Sequence, residues 1–85
     1  MGKIEKLIEK FLNPGSTITF QELEYFLSKN DYKEKKTGKT SGSRKAYINY
    51  KSKHIIRLHK PHPGNNLKKY VKNYLIKEFK KEGLI

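Results

Sequence analysis

Arg44-Lys45-Ala46-Tyr47-Ile48-Asn49-Tyr50, then Lys51-Ser52-Lys53, then His54-Ile55-Ile56-Arg57-Leu58-His59 is the stretch that decides the fold. Two runs rich in β-branched and aromatic residues flank a short polar break, which is the pattern of a β-hairpin. Side chains alternate across a strand, so Ala46, Ile48 and Tyr50 share one face of the first run, and Ile56 and Leu58 share one face of the second. Arg57 and His59 then point the other way. Upstream, Tyr32–Lys36 is a further short extended segment, separated from the hairpin by Thr37-Gly38-Lys39-Thr40-Ser41-Gly42-Ser43. The expectation is a three-stranded antiparallel meander.

Helices flank this sheet. Ile4, Leu7, Ile8, Phe11 and Leu12 recur at helical spacing, and Asn13-Pro14-Gly15 ends that helix because proline cannot continue it. Thr19-Phe20-Gln21-Glu22 reads as a capping box, with Ile18 and Leu23 at the staple positions and Phe20, Leu23, Phe26 and Leu27 as the buried stripe. Lys29-Asn30-Asp31 closes this helix, with Asn30 suited to the left-handed terminal conformation. After Lys60-Pro61-His62-Pro63-Gly64, Asn65 or Asn66 can cap a last helix that carries Leu67, Tyr70, Val71, Tyr74, Leu75 and Phe79 inward and Lys68, Lys69, Lys72, Lys77, Lys80 and Lys81 outward. The predicted architecture is α+β: helix, helix, three strands, helix, as a single domain over residues 1–85, with the helices on one sheet face and the other face open to solvent and ligand.

Charge points to a polyanionic partner. The formal net charge is +12, and it is unevenly spread: residues 1–31 hold four lysines against five acids, whereas residues 32–85 hold sixteen Lys or Arg against three acids. Nucleic acid is the expected ligand of the second part. There is no cysteine, which removes disulfides and thiolate metal sites. The opening Met-Gly-Lys-Ile-Glu-Lys mixes acids into the chain with no apolar run, unlike a secretory leader, and no stretch reaches membrane-spanning length. A cytoplasmic protein is the simplest expectation. The lysine-rich face of the last helix fits a phosphate backbone, an acidic lipid surface or an ordinary solvated face, and lysine repetition alone does not decide among them.

The segment Thr37–Lys45 can present backbone N–H groups, hydroxyls and cations to phosphate, or serve only as a solvated loop. Its Gly38-Lys39-Thr40 is not a nucleotide-binding P-loop, because Lys33 stands where the first glycine is required and no helix follows. Histidines at 54, 59 and 62 are the side chains that ordinarily titrate near neutrality. RNA cleavage without metal needs one group to take the 2′-OH proton, another to protonate the leaving 5′-oxygen, and cations to stabilise the phosphorane. His59, His62, Arg57 and Arg44 match those demands. Equally, His62 between two prolines can anchor a turn, and His59 can simply contact phosphate. His59-x-x-His62 spans a proline turn with no acid close by, so neither a metal nor another cofactor is expected.

Gly42-Ser43-Arg44-Lys45 leading into a strand, then Leu58-His59-Lys60-Pro61-His62-Pro63-Gly64-Asn65 and a final helix, resembles the HicA family of bacterial toxin ribonucleases over about residues 18–85. The resemblance implies a double-stranded-RNA-binding-like fold, metal-independent cleavage of mRNA, and an HicB antitoxin as protein partner. Family members carry Gly-Ser-His at the start of the second strand, with that histidine catalytic; here Arg44 takes its place, and His62 resembles the second histidine segment. A His59/His62 centre with Arg44 and Arg57 is therefore this chain's own expectation, with Lys36, Lys39, Ser43, Lys45, Lys53, Lys60, Lys68 and Lys69 as RNA-binding residues. The competing expectations are a non-catalytic RNA-binding module and an adaptor whose basic face docks an acidic protein. The N-terminal helix lies outside the family pattern. Its apolar stripe fits it to cover the core or a sheet edge, and a contribution to the antitoxin surface is the alternative.

Overall fold

The computed structural model describes residues 2–35, 44–61 and 64–85. Helix α1 (Lys3–Leu12) is followed by α2 (Phe20–Lys29), strands β1 (Tyr32–Glu34), β2 (Arg44–Asn49) and β3 (Ile55–His59), and helix α3 (Lys69–Lys81). The strands pair antiparallel in the order β1-β2-β3. The described residues thus form an α+β structure consistent with the expected architecture.

The capping box forms as read. Glu22 N–H donates to Thr19 Oγ1 at 3.1 Å, and Glu22 Oε1 accepts from Thr19 N–H at 3.0 Å. At the other end of α2 the left-handed residue is Asp31, at φ +68°, rather than Asn30. Asn30 instead donates its side-chain amide to Phe26 O at 2.8 Å. Asp31 is held in that conformation by Tyr50 and Lys51, whose hydroxyl and ammonium reach its carboxylate at 2.9 and 3.2 Å.

Each helix sends one phenylalanine to a common point. Phe11 of α1, Phe26 of α2 and Phe79 of α3 are fully buried, with ring centroids 4.9 to 5.5 Å apart in tilted and edge-on arrangements. The N-terminal helix is therefore built into the core, and Leu12 at its end is half exposed instead of completing the stripe.

The face assignment of β2 differs from the sequence expectation. Tyr47 lies directly opposite Ile56, and it is Tyr47 and Asn49, with Tyr32, Ile56 and Leu58, that are buried under the helices. Ala46 and Ile48 lie on the open face, and Tyr50 is half exposed. Both alternating sets of β2 contain apolar residues, so period two alone cannot choose between them. Tertiary partners do: Tyr47 can bury its ring because its hydroxyl donates to Glu24 at 3.2 Å, and Asn49 because its amide builds the hairpin turn. Asn49 Oδ1 accepts from the N–H groups of Lys51 and Ser52, both at 2.9 Å, and Nδ2 donates to Asn30 O at 3.0 Å.

Helix α3 also departs from its expected faces. Residues 65–67 pair with the start of α2: Phe20 N–H donates to Asn65 O at 2.7 Å and Leu67 N–H to Ile18 O at 2.8 Å. Asn65 and Asn66 are thereby engaged in extended pairing, and the helix starts later, with Lys68 at the N-cap. Lys72, expected outward, is buried and donates to Asn13 O and Ser16 O, each at 2.6 Å. Desolvation, with Lys10 and Lys69 nearby, holds its pKa below the ordinary lysine value. Tyr70 and Tyr74, expected inward, are exposed. Tyr74 Oη accepts the N–H of Arg57 at 3.3 Å.

Candidate functional site

The register of the sheet assembles the site. Arg44 stands directly opposite His59 across the β2–β3 ladder, and Arg57 lies two residues before His59 on the same face. Directly opposed side chains have Cβ atoms about 5 Å apart, and diagonal neighbours about 7–8 Å, within reach of arginine. The strand residues pointing to the open face are Lys33, Arg44, Ala46, Ile48, Ile55, Arg57 and His59, with no carboxylate among them. Glu34 is on the other face, 3.1 Å from Lys45. The cations of the open face are thus not neutralised from within the strands, and their field extends into solvent.

A concavity of about 390 Å³ lies at this end of the sheet, bordered by Arg44, Arg57 and His59 and by Lys35 and Glu34 of the first strand's end. A second, of about 190 Å³, lies between the end of β3 and the start of α3, and His59 borders both. Two guanidinium groups and an imidazole on one surface can bind a phosphodiester in the manner its geometry favours: bidentate donors on the non-bridging oxygens, and a ring able to donate or accept a hydrogen bond beside them.

Of the residues expected at the site, Arg44, Arg57 and His59 are brought together, and Lys60 and Lys68 join His59 around the second concavity. Lys45 borders the same concavity, but the alternation of β2 turns it to the other face of the sheet, where it pairs with Glu34. Lys53 is in the β2–β3 turn, at φ +66°, at the opposite end of the ladder from the Arg44–His59 pair. Lys69 borders a hollow beside Phe11, Leu12 and Pro14 of the α1 end, away from the cluster. His62, Lys36, Lys39 and Ser43 lie outside the described residues.

The third histidine has a different employment. His54 Nε2 is 2.9 Å from Glu78 Oε1 and its Nδ1 is 2.6 Å from the Tyr32 hydroxyl. A carboxylate only accepts, so Nε2 carries a proton toward Glu78, and Nδ1 then accepts from Tyr32 in the neutral ring. This relay ties β1, the start of β3 and α3 together. The bond from His54, with Lys81 adding to it, holds the Glu78 carboxyl below its usual range, and burial pushes the Tyr32 phenol up to about 12. No sequence signal pointed to it, since its members are 22 and 24 residues apart.

Among the described residues no group of three His, Cys, Asp or Glu side chains converges as metal ligands, and no helix is long and apolar enough to cross a membrane. No family model, curated protein or solved structure matches the chain.

Proposed function

We propose that this chain binds RNA across the open face of its sheet and cleaves it at the Arg44–Arg57–His59 cluster, as a HicA-like toxin endoribonuclease that acts on mRNA in the cytoplasm and is restrained by a HicB-like antitoxin. The observation that carries this reading is the Arg44–His59 cross-strand pair with Arg57 beside it. It sets an imidazole and two phosphate-binding cations on a sheet face whose strand positions carry no carboxylate.

The chemistry follows from those groups. The arginines hold the scissile phosphodiester, and one imidazole takes the proton of the adjacent 2′-OH as its oxygen bonds to phosphorus. The bond from phosphorus to the 5′-oxygen breaks, and that oxygen receives a proton from the other imidazole of the expected His59/His62 pair. Arg44 and Arg57 stabilise the extra negative charge of the phosphorane between these steps. The products are a 2′,3′-cyclic phosphate and a 5′-hydroxyl. Arg44 occupies the position of the family's histidine, so the histidine chemistry passes to the neighbouring strand while the position keeps its phosphate contact.

One observation favours a second reading, a non-catalytic RNA-binding module. Among the described residues His59 is the single histidine on the open face, and such a surface binds phosphate without needing to cut it.

The test is incubation of purified protein with single-stranded RNA in EDTA, reading cleavage and product ends. The expected result is cutting to 2′,3′-cyclic or 3′-phosphate ends, with His59→Ala lowering the rate about 10²- to 10⁴-fold and leaving RNA binding intact. Cutting by His59→Ala at the wild-type rate overturns the catalytic assignment. RNA that is bound but uncut establishes the binding module instead.

A further inference from the structure

The cluster accounts for the phosphate side of an RNA ligand; the second concavity has the chemistry for the base. Its position is fixed by the pairing of residues 65–67 with residues 18–20, which pins the segment before α3 against the start of α2. Leu67 and Val71, both buried, give it an apolar floor, and Pro61 is half-buried beside them. Tyr70 borders it with 67% of its surface exposed, although it sits on a helix whose other aromatic and aliphatic residues are more covered. Lys60 and Lys68 are at its margin, and His59 connects it to the cluster.

A single exposed tyrosine is ordinary on a protein surface. Here the ring adjoins an apolar floor, two cations and a candidate scissile-phosphate site, and that combination is the one by which proteins hold unpaired bases: a flat aromatic face for stacking, with positive charge for the flanking backbone. In a duplex the base faces are stacked inside and cannot reach such a ring.

Resting on the RNA reading above, we propose that this concavity receives one unpaired base of a single-stranded RNA, stacked on Tyr70, with Lys60 and Lys68 on the phosphates beside it. The subsite sets a preference for single strands and loops over duplex. It also fixes the register of the strand, because the base next to the cut is the one seated.

The experiment measures binding with a 2′-fluoro single-stranded oligonucleotide, which lacks the 2′-OH nucleophile and stays whole, and with the duplex of the same sequence. Fluorescence anisotropy gives affinity, and a 2-aminopurine in the strand reports stacking. Tyr70→Ala is expected to weaken single-strand binding by about 5- to 150-fold, the range of one base-stacking contact, and to abolish the quench of 2-aminopurine, with duplex binding unchanged. Tyr70→Phe keeps the ring and is expected to behave as wild type. Single-strand binding by Tyr70→Ala equal to wild type, or an equal loss on single strand and duplex, overturns the subsite and leaves the RNA reading standing. A wild-type protein that binds neither ligand overturns both.

Discussion

Replacing Lys72 by methionine removes a buried ammonium while keeping a stem of similar length. The two hydrogen bonds to Asn13 O and Ser16 O, at 2.6 Å each, join α3 to the C-terminal end of α1, where the helix dipole also favours a cation. A charged hydrogen bond contributes about 1.5–3 kcal/mol, so the gross loss is roughly 3–6 kcal/mol. Three effects reduce it. Asn13 O keeps the N–H of Ser16 at 3.1 Å, water can reach the exposed Asn13, and the desolvation of the ammonium is relieved. A net loss of about 1–3 kcal/mol remains, which in a domain of this size lowers the melting temperature by roughly 5–20 °C. Thermal melts followed by far-UV circular dichroism measure it, with Lys69→Met as the control. Lys69 is exposed, and its loss is expected to stay within about 0.5 kcal/mol. Hydrogen exchange in the Lys72→Met protein is expected to speed up first in α1. A Lys72→Met protein as stable as wild type, or one no worse than Lys69→Met, would refute the reasoning.

Glu78→Gln tests the relay through pH. The Glu78 carboxyl is held below 4.5 in the folded state, so its contribution is complete above pH 4.5 and is lost as pH falls through the lower folded value. Denaturant unfolding of wild type and variant is expected to show a gap near neutrality that closes in acid; a gap independent of pH contradicts it. Asn49→Ala removes two hydrogen bonds that build the hairpin turn and one that ties it to Asn30 at the end of α2, for an expected loss of about 2–4 kcal/mol by urea unfolding. If Arg44, Arg57, Lys60 and Lys68 each neutralise one phosphate, the log–log salt slope of single-strand binding is about −2.8, and each charge replaced by glutamine lowers its magnitude by about 0.7. If the HicA-like reading holds, Arg44→His, which places a histidine where HicA toxins carry one, is expected to keep or raise the rate of cutting, and loss of all cutting in that variant counts against a HicA-like centre.

Local signals in the sequence carried most of the architecture. Thr19 and Glu22 satisfy each other's backbone within one turn, so a capping box needs no tertiary partner to be legible. The open-face placement of Arg57 and His59 was equally legible, because Ile56 and Leu58 are the only apolar alternates beside them in β3. β2 was not, since Tyr47 and Asn49 become interior residues by virtue of Glu24 and Asn30, both remote in sequence, and of the turn that Asn49 itself organises. Lys72 carried a signal that charge obscured: it lies three and seven residues before Leu75 and Phe79, on the same helical face. Tyr70 and Tyr74, by the same period, share a face with Lys77 and Lys81, which marks them as outward. At the candidate site, pairing of Arg44 with His59 depends on hairpin register, and register is fixed here by a turn whose organiser, Asn49, gave no sign of its role.

The hydrogen bond from Arg57 N–H to the Tyr74 hydroxyl has a bearing on how this sheet meets other chains. A three-stranded sheet has two open borders, and an unpaired row of amides invites another strand to extend it. At β3 an outward amide is already occupied from α3, so an extended segment from a second molecule would have to displace a side chain before it could dock there. At β1 the ladder is only three residues long. Among the described residues, sheet growth by an added strand therefore has little to build on. A protein partner of the kind proposed above would have the faces of the molecule to grip, and would gain little from these borders.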